Sequence, residues 1–340
     1  MWPGGTTVTE LRGDQLAGSL LGQALADALG FVVESQPPEI ARVYVQGWLR
    51  AGRAGEWSHP EFPFGQYTDD TQLARELVSS FRDAGGWDPA VFSARLAQLF
   101  QEQRDVGAGE GTRSAAGRLI HGSSWKDSGT AAPYAGNGAA MRAGALGLLL
   151  PDPLTMSRVA REQASITHRD PRCGAGAIAI ARAVALAVQR GPISSHEFLE
   201  DVADSADGPD SSFAEAVRGI GPWLALSPAD AARQLHRSGL DPRHVERWQG
   251  ISAFVIPSVV WTLYSFLRSP EDYWETICTA IEVGGDTDSM AAMAGAISGA
   301  RLGPAALPED LVGRLNDRGE WGPAALTKLA RSCAAIVASH

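Results

Sequence analysis

A stripe of small side chains in the first predicted helix is the strongest constraint on how this chain can fold. Gly18, Gly22, Ala26 and Gly30 recur every four residues, and leucines supply the apolar surface between them. Residues four apart share one face of an α-helix, so the stripe predicts that a neighbouring helix packs closely against it. Because glycine lowers helix propensity, we expect tertiary packing to compensate.

Helical patterns also predominate in the remainder of the chain. We find no alternating strand pattern of useful length and no repeat of fixed period, which predicts an all-α class with about a dozen helices. The segment from Val43 to Pro63, rich in glycine, proline and aromatic residues, is predicted to be irregular. The main predicted helices are Leu11 to Gly30, Gln72 to Arg82, Asp88 to Gln103, Thr112 to Ile120, Ala143 to Leu150, Leu154 to Ile166, Arg172 to Gln189, Ile251 to Leu267, Tyr273 to Val283, Met290 to Ala300 and Pro323 to Ala338.

Composition and charge narrow the class of protein. No linker or low-complexity tract divides the 340 residues, so we predict one compact domain over residues 10–340 behind a flexible N-terminal tip, residues 1–9. The net charge of -10 disfavours a nonspecific nucleic-acid binder without excluding nucleic acid. The sequence does not define an oligomeric state.

The cysteines and the apolar runs indicate a compartment. Cys173, Cys278 and Cys333 fit neither a zinc spacing nor a disulfide framework and are predicted to be buried in a reducing environment. The N-terminus lacks the features of a signal peptide. The two apolar runs, Ala175 to Val188 and Ile251 to Leu267, are better interpreted as buried helices than as membrane spans. We therefore expect a soluble, cytoplasmic protein without a membrane partner.

Two acidic clusters of the same chemistry precede predicted helices. A capping role explains one carboxylate at a helix start, whereas adjacent carboxylates repel each other and suggest a bound cation. Such hard oxygen ligands suit Mg²⁺, and Mn²⁺ is possible. The candidate ligands are Thr68, Asp69 and Asp70 in the first cluster and Asp286, Asp288 and Ser289 in the second.

Other polar residues are candidates on weaker local grounds. Asp27 lies in the last turn of the first helix, where the dipole disfavours an anion, so we expect a cation or a hydrogen bond to offset it. Glu34 follows that helix and is either a solvated carboxylate or part of a site. Asp105 stands in a glycine-rich loop that is otherwise an ordinary turn. The Gly-Asn-Gly run around Asn137 is a possible anion seat, and His168 is either a core or a ligand-binding histidine.

Taken in order, these motifs resemble the ADP-ribosylglycohydrolase family. The resemblance covers about Leu16 to Gly303. It rests on five motifs: the opening helix with Gly22 to Glu34, the Thr-Asp-Asp-Thr signature at Tyr67 to Thr71, the Gly-Asn-Gly segment at Gly136 to Arg142, the Thr-His segment at Ser165 to Asp170, and Gly284 to Ser289. Ser289 replaces the usual threonine and keeps its hydroxyl. Ala135 stands where an aromatic residue is often found in serine-type members, with Tyr134 adjacent.

The resemblance implies an all-α fold with two Mg²⁺ ions in a central cleft and ADP-ribose as ligand. If the matching positions have the roles that they have in the family, metal is bound from one side by Thr68, Asp69 and Asp70. It is bound from the other side by Asp286, Asp288 and Ser289. Asn137, with the backbone from Tyr134 through Gly136 to Gly138, would seat the diphosphate or the adjoining ribose. His168 would lie near the diphosphate or the adenosine.

The implied reaction is hydrolysis of the bond between ribose and an acceptor, through an oxocarbenium-like transition state. A carboxylate must handle the proton, and two candidates exist. Glu34 falls where serine-type members have their catalytic glutamate, and Asp105 falls in an Asp-Val-Gly loop like that of the arginine-type bacterial enzyme. The intact Asp105 loop favours an arginine-linked, ADP-ribosylated protein as substrate. The alternatives are a serine- or nucleobase-linked acceptor, or a non-catalytic ADP-ribose-binding relative.

Overall fold

The computed structural model of the protein describes residues 8–189, 191–208, 210–240 and 248–337. These residues form sixteen α-helices and a few 3-10 and π turns, and their extended backbone pairs only as isolated bridges, which confirms the all-α class. Met1 to Thr7 of the predicted tip lie outside the described residues. The helices are α1 (Val8–Gly30), α2 (Pro38–Tyr44), α3 (Asp69–Ala84), α4 (Pro89–Gln101), α5 (Glu110–Ile120), α6 (Leu146–Leu149), α7 (Pro153–Thr167), α8 (Pro171–Ala187), α9 (Ser195–Asp207), α10 (Ser211–Arg218), α11 (Pro228–Leu235), α12 (Val255–Arg268), α13 (Tyr273–Ile281), α14 (Thr287–Leu302), α15 (Glu309–Val312) and α16 (Pro323–Val337).

The close packing predicted from the glycine stripe occurs between α1 and α14. A Cβ atom at Gly22 would lie 2.5 Å from the carbonyl oxygen of Gly295, and one at Gly18 would collide with Gly299. Gly30, at the other end of α1, faces the beginning of α14. The two helices therefore run antiparallel with their backbones in contact, and any larger side chain along this seam would force them apart.

This antiparallel pairing determines where the acidic motifs meet. The C-terminal end of α1 lies beside the N-terminal end of α14, and α3 packs against both helices. The beginnings of α3 and α14, where the two acidic motifs stand, are thereby brought to the end of α1. Apolar clusters on either side hold this arrangement, one of them built around α8 and α12 and the other around α2, α13 and α15.

Two predictions about local structure were wrong. The irregular segment predicted from Val43 begins later, because the residues Val45–Leu49 form a π-helical turn that continues α2. The buried side chains Tyr44, Val45 and Leu49 pack into the apolar cluster beneath this turn and override its weak local pattern. The helix predicted over Ala143 to Leu150 is reduced to α6, because Gly144 and Gly147 let the chain lie directly against α14 and α8.

One helical segment is long and apolar enough to cross a membrane by length and composition. It covers Glu10–Val33, and the residues of its most apolar window are all buried inside the fold. Such burial is what a core helix of a globular protein shows. The predicted burial of the apolar runs in α8 and α12 is confirmed as well.

Candidate active site

The two acidic motifs lie at helix N-termini that meet at the end of α1. Thr68 is the N-cap of α3 and Asp286 is the N-cap of α14. Glu34 directly follows the 3-10 turn Phe31–Val33, which continues from α1. A helix dipole favours negative charge near its first turn, so both motifs occupy positions where the fold itself stabilises carboxylates.

Most of the predicted site residues border one small cavity of about 120 Å³. The predicted residues that line it are Glu34, Asp69, Asp70, Tyr134, Gly136, Asn137, Gly138, His168, Asp286, Asp288 and Ser289. Thr68 and Asp105 are the two predicted residues that are not among its lining. Motifs separated by more than two hundred residues in sequence therefore share one site.

The loop before α14 is held in place from two directions. The backbone is in the left-handed region at Gly284 (φ 71°) and at Gly285 (φ 85°), which favours glycine. On one side, Ser35 N–H donates to the carbonyl oxygen of Gly285 at 2.8 Å, next to Glu34 in the chain. On the other side, Asp286 N–H donates to the carbonyl oxygen of Ile251 at 2.8 Å. The backbone thus fixes the separation between the Glu34 segment and the motif that carries Asp286.

The clustered carboxylates have strongly raised pKa values. Burial, followed by repulsion from Asp70, raises the pKa of Glu34 to about 7 and that of Asp286 to about 8. Burial likewise raises the pKa of Asp70 to about 6, and burial with neighbouring carboxylates raises the pKa values of Asp69 and Asp288 well above their usual range. Carboxyl groups this close need either protons or a cation.

The arrangement of oxygens fits a hard divalent cation. One carboxylate oxygen each from Glu34, Asp286 and Asp288 all lie within 4.8 Å of one another. Asp70 Oδ1 and Asp288 Oδ1 are buried and have no hydrogen-bond partner among the described residues. An unsatisfied buried carboxylate oxygen is costly, and Mg²⁺ or Mn²⁺ would satisfy it. Metals that prefer nitrogen or sulfur would find neither atom within this trio of carboxylates.

Thr68 and Asp27 lie directly behind the cavity. Asp27 is fully buried and accepts hydrogen bonds from the backbone N–H groups of Thr68 and Thr71. The Thr71 hydroxyl also donates to it, at 2.6 Å. The prediction that a partner compensates for the negative charge of Asp27 at the end of α1 is confirmed, and the partners are hydrogen-bond donors. Thr68 Oγ1 lies 2.9 Å from Asp70 Oδ2, so Thr68 orients this carboxylate from behind.

Asn137 joins the Gly-Asn-Gly segment to the acidic cluster. Its side-chain Nδ2 donates to Asp286 Oδ2 at 2.6 Å. Its backbone N–H donates to Ala253, and the N–H of Tyr134 donates to Ala131. Those two N–H groups are therefore engaged within the protein, although they were predicted to face an anion. The Asn137 side chain, rather than its N–H, is what this segment presents to the cluster.

Tyr134 and His168 line the same cavity as the carboxylates. Their rings stack with centroids 5.8 Å apart, and the Tyr134 hydroxyl accepts a hydrogen bond from Gly111 N–H. Burial, and then the nearby charge of Arg142, lower the pKa of His168 to about 3, so its imidazole is neutral at physiological pH. A Cβ at Gly138 would lie 2.9 Å from the His168 ring, so only glycine leaves the cavity open there.

Asp105 lies at the edge of the site rather than inside it. Its side chain is 16% exposed and forms an ion pair with Arg113, with 3.2 Å between Nη2 and Oδ2. The following residue, Val106, accepts a 2.7 Å hydrogen bond from Asp69 N–H, which ties the Asp105 loop to the start of α3. Repulsion from Asp105 also contributes to the raised pKa of Asp69.

Several cavity-lining residues were not named as site residues from the sequence, although one of them, Met141, lies within the Gly136 to Arg142 motif. They are Gly107, Gly109, Gly111, Thr112, Met141, Trp248 and Ala253. The first four belong to the glycine-rich loop and the beginning of α5, and their position after Asp105 was an available signal. Trp248 and Ala253 lie in a stretch without any motif, so nothing local indicated that they reach the site.

Comparison with known proteins places these features in one family. A sequence model of the ADP-ribosylglycohydrolase family matches residues 8–338. ADP-ribosylhydrolase ARH3 of Mus musculus is 30% identical over 325 residues, which cover 86% of this chain and 85% of the relative. The ADP-ribosyl-[dinitrogen reductase] glycohydrolase of Rhodospirillum rubrum is 28% identical, with 89% and 90% covered. The ADP-ribosylarginine hydrolase Tri1 of Pseudomonas putida is 26% identical, with 90% and 76% covered.

The fold agrees with this relationship. A solved structure described as an ADP-ribosylglycohydrolase-related protein complex superimposes with a TM-score of 0.71 at 24% identity, covering 96% of this chain and 99% of the other. The five motifs, the helical architecture and the match along nearly the whole sequence lead to the same conclusion: the chain belongs to the ADP-ribosylglycohydrolase family.

Proposed function

We propose that this ADP-ribosyl hydrolase is a cytoplasmic, Mg²⁺-dependent enzyme that releases ADP-ribose from arginine residues of modified proteins. The observation that carries the proposal is the cluster of Glu34, Asp286 and Asp288, whose oxygens lie within 4.8 Å of one another in a cavity that Asn137 and His168 also line. Such a cluster is suited to hold a cation next to a polar ligand rather than to stabilise the fold, because its own repulsion is unfavourable.

Two Mg²⁺ ions are proposed, with Mn²⁺ as an alternative. Glu34, Asp286 and Asp288 would hold the first ion, and Ser289 would contribute its hydroxyl to the second. The other residues proposed for the second ion are Thr68, Asp69 and Asp70. Bound cations would provide Lewis-acid stabilisation and fixed positions for hydroxyl groups of the ribose. The buried, unpartnered oxygens of Asp70 and Asp288 support this assignment.

The ADP portion is proposed to lie along the wall formed by Tyr134, Asn137 and His168. A neutral His168 can donate or accept a hydrogen bond without adding charge to the site. Asn137 would touch the ligand while its amide still holds Asp286. In this arrangement the ribose would lie between this wall and the carboxylates.

Asp105 is proposed as the residue that accepts a proton from the water attacking C1″ and, as the bond from C1″ to the acceptor nitrogen breaks, passes that proton to the departing guanidine. It lies just outside the carboxylate cluster, whereas Glu34 is grouped with Asp286 and Asp288 as a cation ligand. Positive charge grows on the ribose as the glycosidic bond breaks, and the surrounding carboxylates stabilise that charge. A positioned carboxylate base contributes about 10² to 10⁴ in rate.

The arginine acceptor is supported by the ion pair between Asp105 and Arg113. The structure has a guanidinium group 3.2 Å from this carboxylate, on a side chain that is 57% exposed. An arginine of the substrate carries the same group and could replace Arg113 at Asp105. The P. putida relative is an ADP-ribosylarginine hydrolase, which is consistent with this choice.

The test is release of ADP-ribose from arginine-, serine- and nucleobase-linked substrates, with Mg²⁺ and with EDTA. We expect arginine-linked ADP-ribose to be released fastest and EDTA to abolish release. Faster release from a serine or base linkage would overturn the acceptor assignment, and full activity in EDTA would overturn the cation assignment. Binding of ADP-ribose without turnover of any substrate would indicate a non-catalytic relative.

Two variants separate the roles of the candidate carboxylates. Asp105→Asn is expected to lower kcat about 10³-fold while leaving Mg²⁺ affinity unchanged. Glu34→Gln is expected to weaken Mg²⁺ binding in calorimetry as well as to lower activity. The reverse pattern would assign the proton transfer to Glu34.

A further inference from the structure

The side-chain amide of Gln72 contacts the two peptide groups that flank Asp105. Its Nε2 donates to the carbonyl oxygen of Arg104 at 2.9 Å, and its Oε1 accepts from the N–H of Val106 at 3.1 Å. Gln72 lies in the first turn of α3, three residues after Asp69, and is completely buried. No step of the proposed reaction uses this residue.

We propose that Gln72 is a positioning residue that holds Asp105 in its catalytic place, an inference that rests on the proposed function. An amide that both donates and accepts can bind a loop at two successive peptide groups, which fixes the direction of the side chain between them. A hydrophobic or shorter side chain at this position cannot make either bond. The ion-pair partner of the Asp105 carboxylate, Arg113, has a side chain that is more than half exposed, and such pairs contribute little. The backbone on either side of Asp105 therefore has the larger part in setting the direction of its side chain.

The Gln72 amide is itself held by a buried ion pair. Its Nε2 also lies 2.9 Å from Asp317 Oδ1, and Asp317 pairs with Arg75 at 2.7 Å. Asp317 is completely buried and Arg75 nearly so. A buried pair with these additional hydrogen bonds is hard to displace, because separating the partners would leave a charge unpaired. The position of Gln72, and through it the Asp105 loop, is thereby fixed from the C-terminal part of the chain.

Gln66 offers a matched control. It is a buried glutamine whose Nε2 also points to Asp317 Oδ1, at 3.3 Å, and it contacts Tyr67 and Arg318. No hydrogen bond among the described residues joins Gln66 to Arg104, Asp105 or Val106. Gln66→Met and Gln72→Met therefore remove similar polar groups from the same ion pair, and only the second removes direct hydrogen bonds to the peptide groups beside Asp105. The connection from Gln66 is indirect and runs through Arg318, whose guanidinium donates to the carbonyl oxygen of Asp105 at 3.5 Å.

The expected result is a selective loss in Gln72→Met. We expect kcat to fall about 10- to 100-fold, the range typical of residues that orient a site from behind, with the Kd for free ADP-ribose unchanged. Gln66→Met should lose comparable thermal stability while its kcat stays close to that of the unsubstituted protein. Gln72→Asn, which keeps an amide but is one methylene too short, should reproduce the kinetic loss and serves if Gln72→Met does not fold.

A double-mutant cycle with Asp105→Asn completes the test. If Gln72 acts through Asp105, its substitution adds no further loss once Asp105 is Asn. Losses that multiply, or equal losses in Gln66→Met and Gln72→Met, would overturn the inference while leaving the proposed function intact. Near-normal turnover by Asp105→Asn alone would instead overturn the assignment of Asp105 on which the inference depends.

Discussion

Asn137 Nδ2 donates a 2.6 Å hydrogen bond to Asp286 Oδ2, which joins the ligand wall directly to a proposed cation ligand. Removing this donor in Asn137→Ala takes away one of the hydrogen bonds that orient the Asp286 carboxylate, and the bond from Ser289 remains. We expect Mg²⁺ affinity, measured by calorimetry, to fall about 10- to 100-fold. Asn137→Asp should lower the Tm in EDTA, because a second carboxylate would face Asp286 and repel it.

Asn316 supplies a control for this prediction. Its amide hydrogen-bonds only to nearby backbone in the described structure and does not line the cavity. Asn316→Ala should therefore leave Mg²⁺ affinity unchanged. Equal affinities in Asn137→Ala and the unsubstituted protein would show that Asp286 needs no orienting donor from Asn137.

The metal-free protein is expected to become less stable as pH rises. The pKa values of Asp70, Glu34 and Asp286 are raised to about 6, 7 and 8. A raised pKa contributes stability that is fully present below the unfolded value, near 4, and is lost as pH rises through the folded value. Thermal unfolding in EDTA should thus show a lower Tm at about pH 8.5 than at about pH 5.5.

Added Mg²⁺ should reverse this trend, since it binds the deprotonated carboxylates. Asp286→Asn removes one of the repelling groups and should flatten the pH dependence in EDTA. A metal-free protein that is equally stable at both pH values would show that repulsion among these carboxylates does not weaken the fold.

The contact between α1 and α14 predicts a large effect of one methyl group. In Gly22→Ala the new Cβ lies 2.5 Å from the carbonyl oxygen of Gly295, and neither helix can yield without disturbing the other. We expect a loss of about 2 to 4 kcal/mol in the free energy of unfolding, measured by urea denaturation. Gly117→Ala in α5, where no atom lies within 4 Å of the new Cβ, should stabilise by up to about 1 kcal/mol.

Arg142 is expected to be irreplaceable by lysine. Its completely buried guanidinium donates to Gly138, to Gln163 and to Thr167, which stands next to His168. A lysine ammonium cannot reach three such directions at once. Arg142→Lys should lose about 2 to 4 kcal/mol of stability and weaken ADP-ribose binding, whereas Arg161→Lys at the surface should change neither. An Arg142→Lys variant of normal stability would show that a planar guanidinium donating in several directions is not required at this position.

The chemistry of the site could be predicted from the sequence better than the contacts that hold its residues in place. The motifs at Asp69 and Asp286 could be matched because both place hard oxygen ligands at the beginning of a helix. The glycine stripe likewise predicted a close contact between two helices. The identity of the partner helix, α14, could not be deduced, since small residues recur in several helices. Asp27 was recognised as an anion needing partners, but the partners lie 41 and 44 residues away in sequence.

Contacts between distant parts of the chain were beyond local reasoning. Trp248 reaches the cavity although nothing around it forms a motif, and the Gln72 amide meets a loop that begins more than thirty residues later. Both depend on packing of whole elements rather than on spacing. The role of Asp105 stays a prediction, which the Asp105→Asn and Gln72→Met variants test.

The double attachment of the Gly284 and Gly285 loop has a consequence for how a cation enters. Because the backbone on both sides already holds this turn, the entropy of ordering it is lost once, when the chain folds. A cation then needs only to exchange its water molecules for carboxylate ligands that are already at the distances from one another that they keep in the complex. The site would consequently select among cations of equal charge by their radius and ease of dehydration, since the backbone that carries the ligands has little freedom to adjust to a larger cation.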